Sequence, residues 1–251
     1  MKKASTKQTS SSLVKQLIRA AKKLRDEVDE LEFGAPVTHV YNPLRYAWKS
    51  HQAYLSLVAG HSPVNLFLGM NPGPWGMAQT GVPFGEIASV RDWMGIETAV
   101  GSPPVEHPKR MIEGFDCQRS EVSGRRLWGL FGEKYGTPES FFEQNFVANY
   151  CPLVFMESSG KNRTPDKLNA EERESLGLIC DEHLASVISA MQPQRVIGVG
   201  AYAEKCLARV VKERSIDADI HRILHPSPAS PAANKDWAGK VTGQLKDVGV
   251  W

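Results

Sequence analysis

The sequence has no pair of cysteines at C-x-x-C spacing; its four, Cys117, Cys151, Cys180 and Cys206, stand 26 to 34 residues apart. That spacing excludes a zinc ribbon and a clustered iron–sulfur motif. It leaves buried, reduced thiols as the expectation, with no metal and no cofactor. No apolar run approaches the length of a membrane span, and no apolar stretch follows the basic start MKKAST. Neither a span nor a signal peptide is expected. The expected location is therefore cytoplasmic in a bacterium or nuclear in a eukaryote, and not secreted. An excess of one sign of charge is also nearly absent, the formal net charge being +2. So small an excess neither requires nor excludes a nucleic-acid partner, because a DNA enzyme needs only a local positive groove. G-x-G-x-x-G, the Walker A loop and G-x-S-x-G are all missing, which argues against an unrelated nucleotide-handling α/β enzyme.

What is present is an ordinary globular composition over 251 residues, 41% hydrophobic and 23% charged. That length can bury a substantial core without staples. Residues 1–11 are rich in Ser, Thr, Lys and Gln, and are expected to form a flexible tail before a single domain over 12–251. Val14, Leu17, Ala21, Leu24, Val28 and Leu31 mark one stripe of a helix. Three heptads is the lower limit for a coiled coil, so packing of this stripe on the chain's own sheet is expected.

Four short apolar runs bounded by turn residues read as buried strands: Val64–Met70, Phe146–Phe155, Arg195–Gly200 and Ile220–Leu224. Helical patterns near 45–59, 86–94, 123–135, 171–190, 201–214 and 234–247 separate or follow them. This alternation predicts an α/β fold in three layers, α/β/α, around a central, mainly parallel four-stranded sheet. In such sheets ligands bind beyond the carboxyl ends of the strands, where two unusual loops stand.

The first loop is GMNPGPWGMAQTGVPFGE, from Gly69 to Glu86, with four glycines and three prolines after Asn71. Such a loop holds a fixed, non-repetitive shape that can present amides and side chains to a ligand, although Gly and Pro also punctuate turns with no chemistry. The second opens with His225 and continues Pro-Ser-Pro-Ala-Ser-Pro to Lys235. A lone histidine at a strand end is more often structural than functional, but this proline spacing makes a stiff projecting loop.

Together the two loops resemble the signature motifs of the uracil-DNA glycosylase superfamily, and most closely its single-strand-selective monofunctional uracil-DNA glycosylase family. The first resembles that family almost throughout, and the second at HPSP and at the ANK stretch. The segment Phe146–Leu153 is similar to the family's base-recognition strand. The resemblance runs from about residue 40 to the end of the chain.

The resemblance implies a DNA glycosylase that flips its target base into a pocket. Its substrates would be single- and double-stranded DNA containing uracil or oxidised pyrimidines such as 5-hydroxymethyluracil, and the enzyme would be a monomer. Asn71 matches the residue that orients the attacking water; as an amide it cannot serve as a strong base. His225 matches the donor that stabilises charge on the departing base. Phe84 matches the stacking aromatic and Asn149 the amide that reads the uracil edge. By residue type alone, Phe84 could equally be core and Asn149 a satisfied strand amide. Gly73 stands where thymine-excluding relatives carry a bulky aromatic, which leaves room near C5, and Met70 would line the same side. Ser227, Pro228, Ala229, Ser230 and Lys235 resemble the wedge and phosphate contacts. Ala229 departs from the vertebrate pattern, where a basic residue often sits, and Lys235 could also be an ordinary surface lysine.

No lysine lies in GMNPGPWGMAQTGVPFGE or HPSP, so a Schiff-base lyase step is not expected. His221 and His225 would stand roughly 13 Å apart on a strand, too far to share a metal. Two alternatives remain open on the sequence: a glycosylase directed at deaminated purines, and a non-catalytic binder of damaged DNA.

Overall fold

The computed structural model describes residues 3–251, with side chains from residue 12 onward. The tail expected over 1–11 thus lies outside the described residues for its side chains, and wholly so for Met1 and Lys2. In chain order the first elements are α1 (Lys3–Val28), β1 (Val37–Tyr41), α2 (Pro43–Tyr46), α3 (Trp48–Ser56), β2 (Asn65–Gly69) and α4 (Met77–Thr80). There follow α5 (Val122–Tyr135), α6 (Pro138–Phe142), β3 (Asn145–Asn149), β4 (Val154–Glu157) and β5 (Asn162–Arg163). The chain closes with α7 (Ala170–Met191), β6 (Arg195–Val199), α8 (Ala201–Glu213), β7 (Asp219–Ile223) and α9 (Pro231–Asp247).

Strands β3, β2, β6 and β7 lie in that order and pair in parallel, as the alternating pattern predicts. Every residue of β2 and β3 is buried, whereas β7 is the half-exposed edge. Side chains alternate across the sheet. Phe67 points to one face, its ring 5.1 Å from that of Phe131 on α5. On the opposite face α8 approaches so closely that a Cβ at Gly198 would overlap the backbone of Glu204. Helices α1, α7 and α8 therefore cover one face and α5 with α9 the other, giving three layers. The stripe Leu17, Ala21, Leu24 and Val28 is buried and packs α1 onto α7, within the same molecule. Trp128, buried among Phe131, Phe141 and Phe142, anchors the α5 side; its truncation to Ala would cost about 3–5 kcal/mol.

Several expected boundaries change. Phe146–Phe155 is two strands in two sheets. After Asn149 the chain leaves the parallel sheet, turns through Pro152, and enters β4, which pairs antiparallel with β1 and β5. Proline cannot donate to a ladder, and here it marks the break. The helix expected at 45–59 is α2 and α3, separated at Ala47. That expected at 86–94 is a single π-helical turn, Ser89–Trp93. The last helix starts earlier than the pattern suggests, at Pro231, with Ser230 as its N-cap, and it is kinked at Asp236.

Candidate active site

The parallel register sets the centre of the site. Gly69 ends β2 directly beside Asn149, which ends β3. Beyond the ladder the two chains stay zipped: the Tyr150 and Cys151 amides donate to the carbonyls of Gly69 and Met70, each at 2.9 Å. The Asn71 side chain continues this pairing, its Nδ2 donating to the Leu153 carbonyl at 3.1 Å. The amide is thereby turned so that its Oδ1 is left to accept from something else.

Asn149 is held from behind. The neighbouring Tyr150 hydroxyl donates to Asp181 at 2.7 Å and accepts from Arg209 at 2.9 Å, which ties the end of β3 to α7 and α8. The Asn149 amide is buried, and its Nδ2 finds only the soft Sδ of Met77 at 3.3 Å. Its Oδ1 is buried with no hydrogen-bond partner among the described residues. Leaving such an acceptor unpaired costs about 1–3 kcal/mol. A Cβ on Gly69 would overlap both this oxygen and the Phe84 ring, so Gly69 is what lets the amide and the ring meet.

Phe84 carries a positive φ of 52°, which a residue with a large side chain rarely adopts. The surrounding contacts impose it. Trp128 Nε1 donates to the Pro83 carbonyl at 3.1 Å, the Glu86 amide donates to the Phe84 carbonyl at 2.7 Å, and Gly124 of α5 lies flush against that carbonyl. Gln79, fully buried, ties the loop from within: it donates to Pro74 and Met111 carbonyls and accepts from the amides of Glu113 and Gly114. The first loop is thus rigid because it is internally bonded, as well as rich in Gly and Pro.

The ring of His225 lies 6.3 Å from that of Phe84, centroid to centroid. Gly200, at φ +91°, gives the imidazole room at the end of β6. Nδ1 of His225 accepts the Ser227 amide at 3.0 Å. A neutral imidazole held this way carries its proton on Nε2, as a donor. Burial lowers the His225 pKa, which keeps the ring neutral near pH 7.

The second loop projects. Pro228, Ala229 and Lys235 are exposed, while Ser227 and Ser230 are half-buried. Ser227 Oγ accepts the Ala229 amide, and Ser230 caps α9. Arg126 of α5 holds the base of this loop, donating to the Pro226 carbonyl at 2.9 Å and to Asn234 Oδ1 at 3.0 Å. Asn234 in turn donates to the Pro228 carbonyl at 2.8 Å.

Gly69, Phe84, Asn149 and His225 therefore form one continuous cluster. Asn71 and Met70 join it through the zipped segment, and the residues that resemble the wedge stand outside on the loop that begins at His225. Gly73 differs from the sequence expectation. The space beside it is lined rather than simply open: Glu121 Oε1 lies 3.2 Å from where a Cβ would stand. Glu121 and Arg126 escape sequence reasoning because their partners lie far away in the chain. Among the described residues no group of three or more His, Cys, Asp and Glu is placed to hold a metal ion, and no helix is long and apolar enough to cross a membrane.

Comparison with known proteins identifies the family. The family described as the Uracil DNA glycosylase superfamily matches residues 59–245. The single-strand selective monofunctional uracil DNA glycosylase of Bos taurus is 44% identical over 239 residues, covering 95% of this chain and 88% of that protein. The Rattus norvegicus protein of the same description is 45% identical over 239 residues, covering 95% and 86%. Among solved structures, wild-type Pedobacter heparinus SMUG2 superposes with a TM-score of 0.62 at 18% identity, covering 92% of this chain and 99% of that one, a likeness of fold.

Proposed function

The chain belongs to the uracil-DNA glycosylase superfamily, in its single-strand-selective monofunctional branch, and from that premise we propose that it excises uracil from DNA by hydrolysis and leaves an abasic site. The observation that carries the reading is the orphaned Oδ1 of Asn149, buried beside a strained Phe84. An extruded uracil satisfies it: N3–H donates to Oδ1, and O4 accepts from Nδ2. Cytosine presents an acceptor at N3 and a donor at C4, so it meets the same amide with like against like and is rejected.

Phe84 gives the base a flat surface to stack on. As the glycosidic bond lengthens, the sugar becomes oxocarbenium-like and negative charge gathers on the uracil. His225 Nε2–H donates a hydrogen bond to that charge, and the departing uracil anion takes up the proton that the adding water gives up. Asn71 Oδ1 orients the water that adds to the sugar carbon; little nucleophilicity is required at a carbon already so electron-poor. Pro228 and Ala229 fill the gap in the stack, and Lys235 contacts a phosphate. The small Ala229 wedge favours single strands, where no partner strand must be displaced, over duplexes. Oxidised pyrimidines carrying a small group at C5 fit beside Gly73. Every group assigned comes from one chain, so a monomer suffices.

The test is an oligonucleotide with one uracil incubated with the full chain. Released uracil and a strand that breaks only after alkali are expected. Absence of release overturns the reading, and breakage without alkali overturns its hydrolytic form.

A further inference from the structure

The arginines of this chain fall into two groups. Arg45, Arg91, Arg163, Arg209, Arg214 and Arg222 each hold a carboxylate. Between residues 110 and 126 the pattern breaks. Among the described residues Arg110, Arg119, Arg125 and Arg126 take part in no ion pair. The remaining unpaired arginines, Arg19, Arg173 and Arg195, stand singly on α1, α7 and β6. The four lie beside the site, since Gly124 of the same segment abuts the Phe84 carbonyl. Arg126 is committed to the base of the second loop. The other three are not. Arg110 and Arg119 lie over the Trp75 ring of the first loop, 5.2 and 4.5 Å from its centroid. Arg110 Nη1 donates to the Lys109 carbonyl, and its Nε has no partner among the described residues. Arg119 and Arg125 are exposed, and Arg125 donates to Ser120 Oγ at 3.3 Å.

Stacking on an aromatic covers the face of a guanidinium and leaves its in-plane N–H fork open, the edge that takes a phosphate bidentately. The carboxyls nearest this segment's end are turned inward: Glu86 is buried and bonded to Ser89 and Ser120, and Glu121 presses on Gly76. Like charges gathered without partners repel one another, so the fold gains nothing from the cluster.

We infer that Arg110, Arg119 and Arg125 form a rail that holds the phosphates of a single DNA strand along the first-loop side of the pocket mouth. The inference rests on the uracil-excision reading and adds to it the path of the strand outside the pocket. On that reading Lys235 meets the strand from the second loop, and the rail meets it from the first. Holding the backbone at both places confines the movement of extrusion to one nucleotide. Phosphate contacts carry no sequence information, which suits an enzyme that must act whatever bases flank the lesion. The Trp75 stack orders two of the guanidiniums before DNA arrives, so less side-chain freedom is lost on binding.

The experiment uses the full chain and an undamaged single-stranded oligonucleotide, with Kd measured against salt concentration. Each phosphate contact contributes about 0.7 to the slope of log K against log salt on a single strand, so R119Q/R125Q should flatten the plot by about 1.4. On a uracil-bearing strand of the same length its KM should rise about tenfold with kcat little changed. R119E/R125E should weaken binding further. R45Q/R214Q removes the same charge from paired arginines and should leave the slope as it is. Both Arg119 and Arg125 are exposed, so a thermal melt should show little change. An unchanged slope in R119Q/R125Q, an equal flattening in R45Q/R214Q, or a fall in kcat at constant KM overturns the proposal. If the wild-type protein releases no uracil the underlying reading fails, while the binding plot still tests the rail, so the two failures are distinct.

Discussion

The loop after β2 and the loop after β7 both end in the site, but they are built on opposite principles. The first is buried and over-determined: Gln79, Thr80 and Trp128 bond its backbone at several points, and Gly69, Gly85 and Gly124 allow contacts that any side chain would block. The second is exposed at Pro228 and Ala229, and among the described residues its base is held chiefly by Arg126, Asn234 and the Ser227–His225 bond. On the proposed function the base pocket lies between the rigid loop, which carries the stacking ring, and the end of β3, which carries the reading amide, both of which need fixed geometry. On the proposed function the wedge sits on the exposed one, where it can reach DNA. His225 is the point of contact between the two.

The largest effect expected from breaking this arrangement is chemical. His225→Ala removes the donor aimed at the leaving base, and kcat should fall by about 10²–10³-fold. Because the loop it begins is exposed, Tm should move little; a large fall in Tm, or full activity, would contradict the role. The comparison sharpens with Gly124→Ala on the other side. Helix propensity alone favours Ala over Gly by about 1 kcal/mol. The structure predicts the reverse, because the new methyl overlaps the Phe84 carbonyl oxygen. A net loss of roughly 1–3 kcal/mol is expected, together with reduced excision as Phe84 shifts. A thermal melt showing stabilisation would remove the claim that the first loop is over-determined.

The smallest expected effect is electrostatic. Burial and Glu86 raise the Glu121 pKa from its ordinary 4.5 to about 7 in the folded protein. A carboxyl whose pKa is raised on folding is penalised when ionised, so stability is lost as pH climbs from about 4.5 through 7. Glu121→Gln lacks that penalty. It should melt with wild type near pH 4 and several degrees above it at pH 8. A Tm difference independent of pH would show that the carboxyl is solvated.

The same contrast explains what the sequence made legible. Strands β2, β6 and β7 were readable to within a residue or two because each is a short apolar run closed by turn residues. Tyr150 to Leu153 is also apolar, so β3 and β4 merged into one run, and only Pro152 hinted at the break. The sheet of β1, β4 and β5 was not foreseen, since β1 mixes His and Thr with its apolar residues and β5 is too short to show a period. In the site, Asn71, Phe84, Asn149 and His225 could be named because they lie in three continuous segments, the two loops and Phe146–Leu153. Glu121 and Arg126 lie outside them, and their meaning depends on partners up to about a hundred residues away, which no local pattern encodes. Gly73 was read as an opening, but the carboxyl that lines the opening arrives from another element.

The central claim is that the Asn149 amide reads the base. Asn149→Asp tests it most directly, because the substitution keeps size and shape while replacing the NH₂ donor with an acceptor. Uracil excision should fall by about a hundredfold or more while affinity for undamaged single-stranded DNA stays within a few-fold of wild type. An equal loss in both, or uracil excision near the wild-type rate, would contradict it.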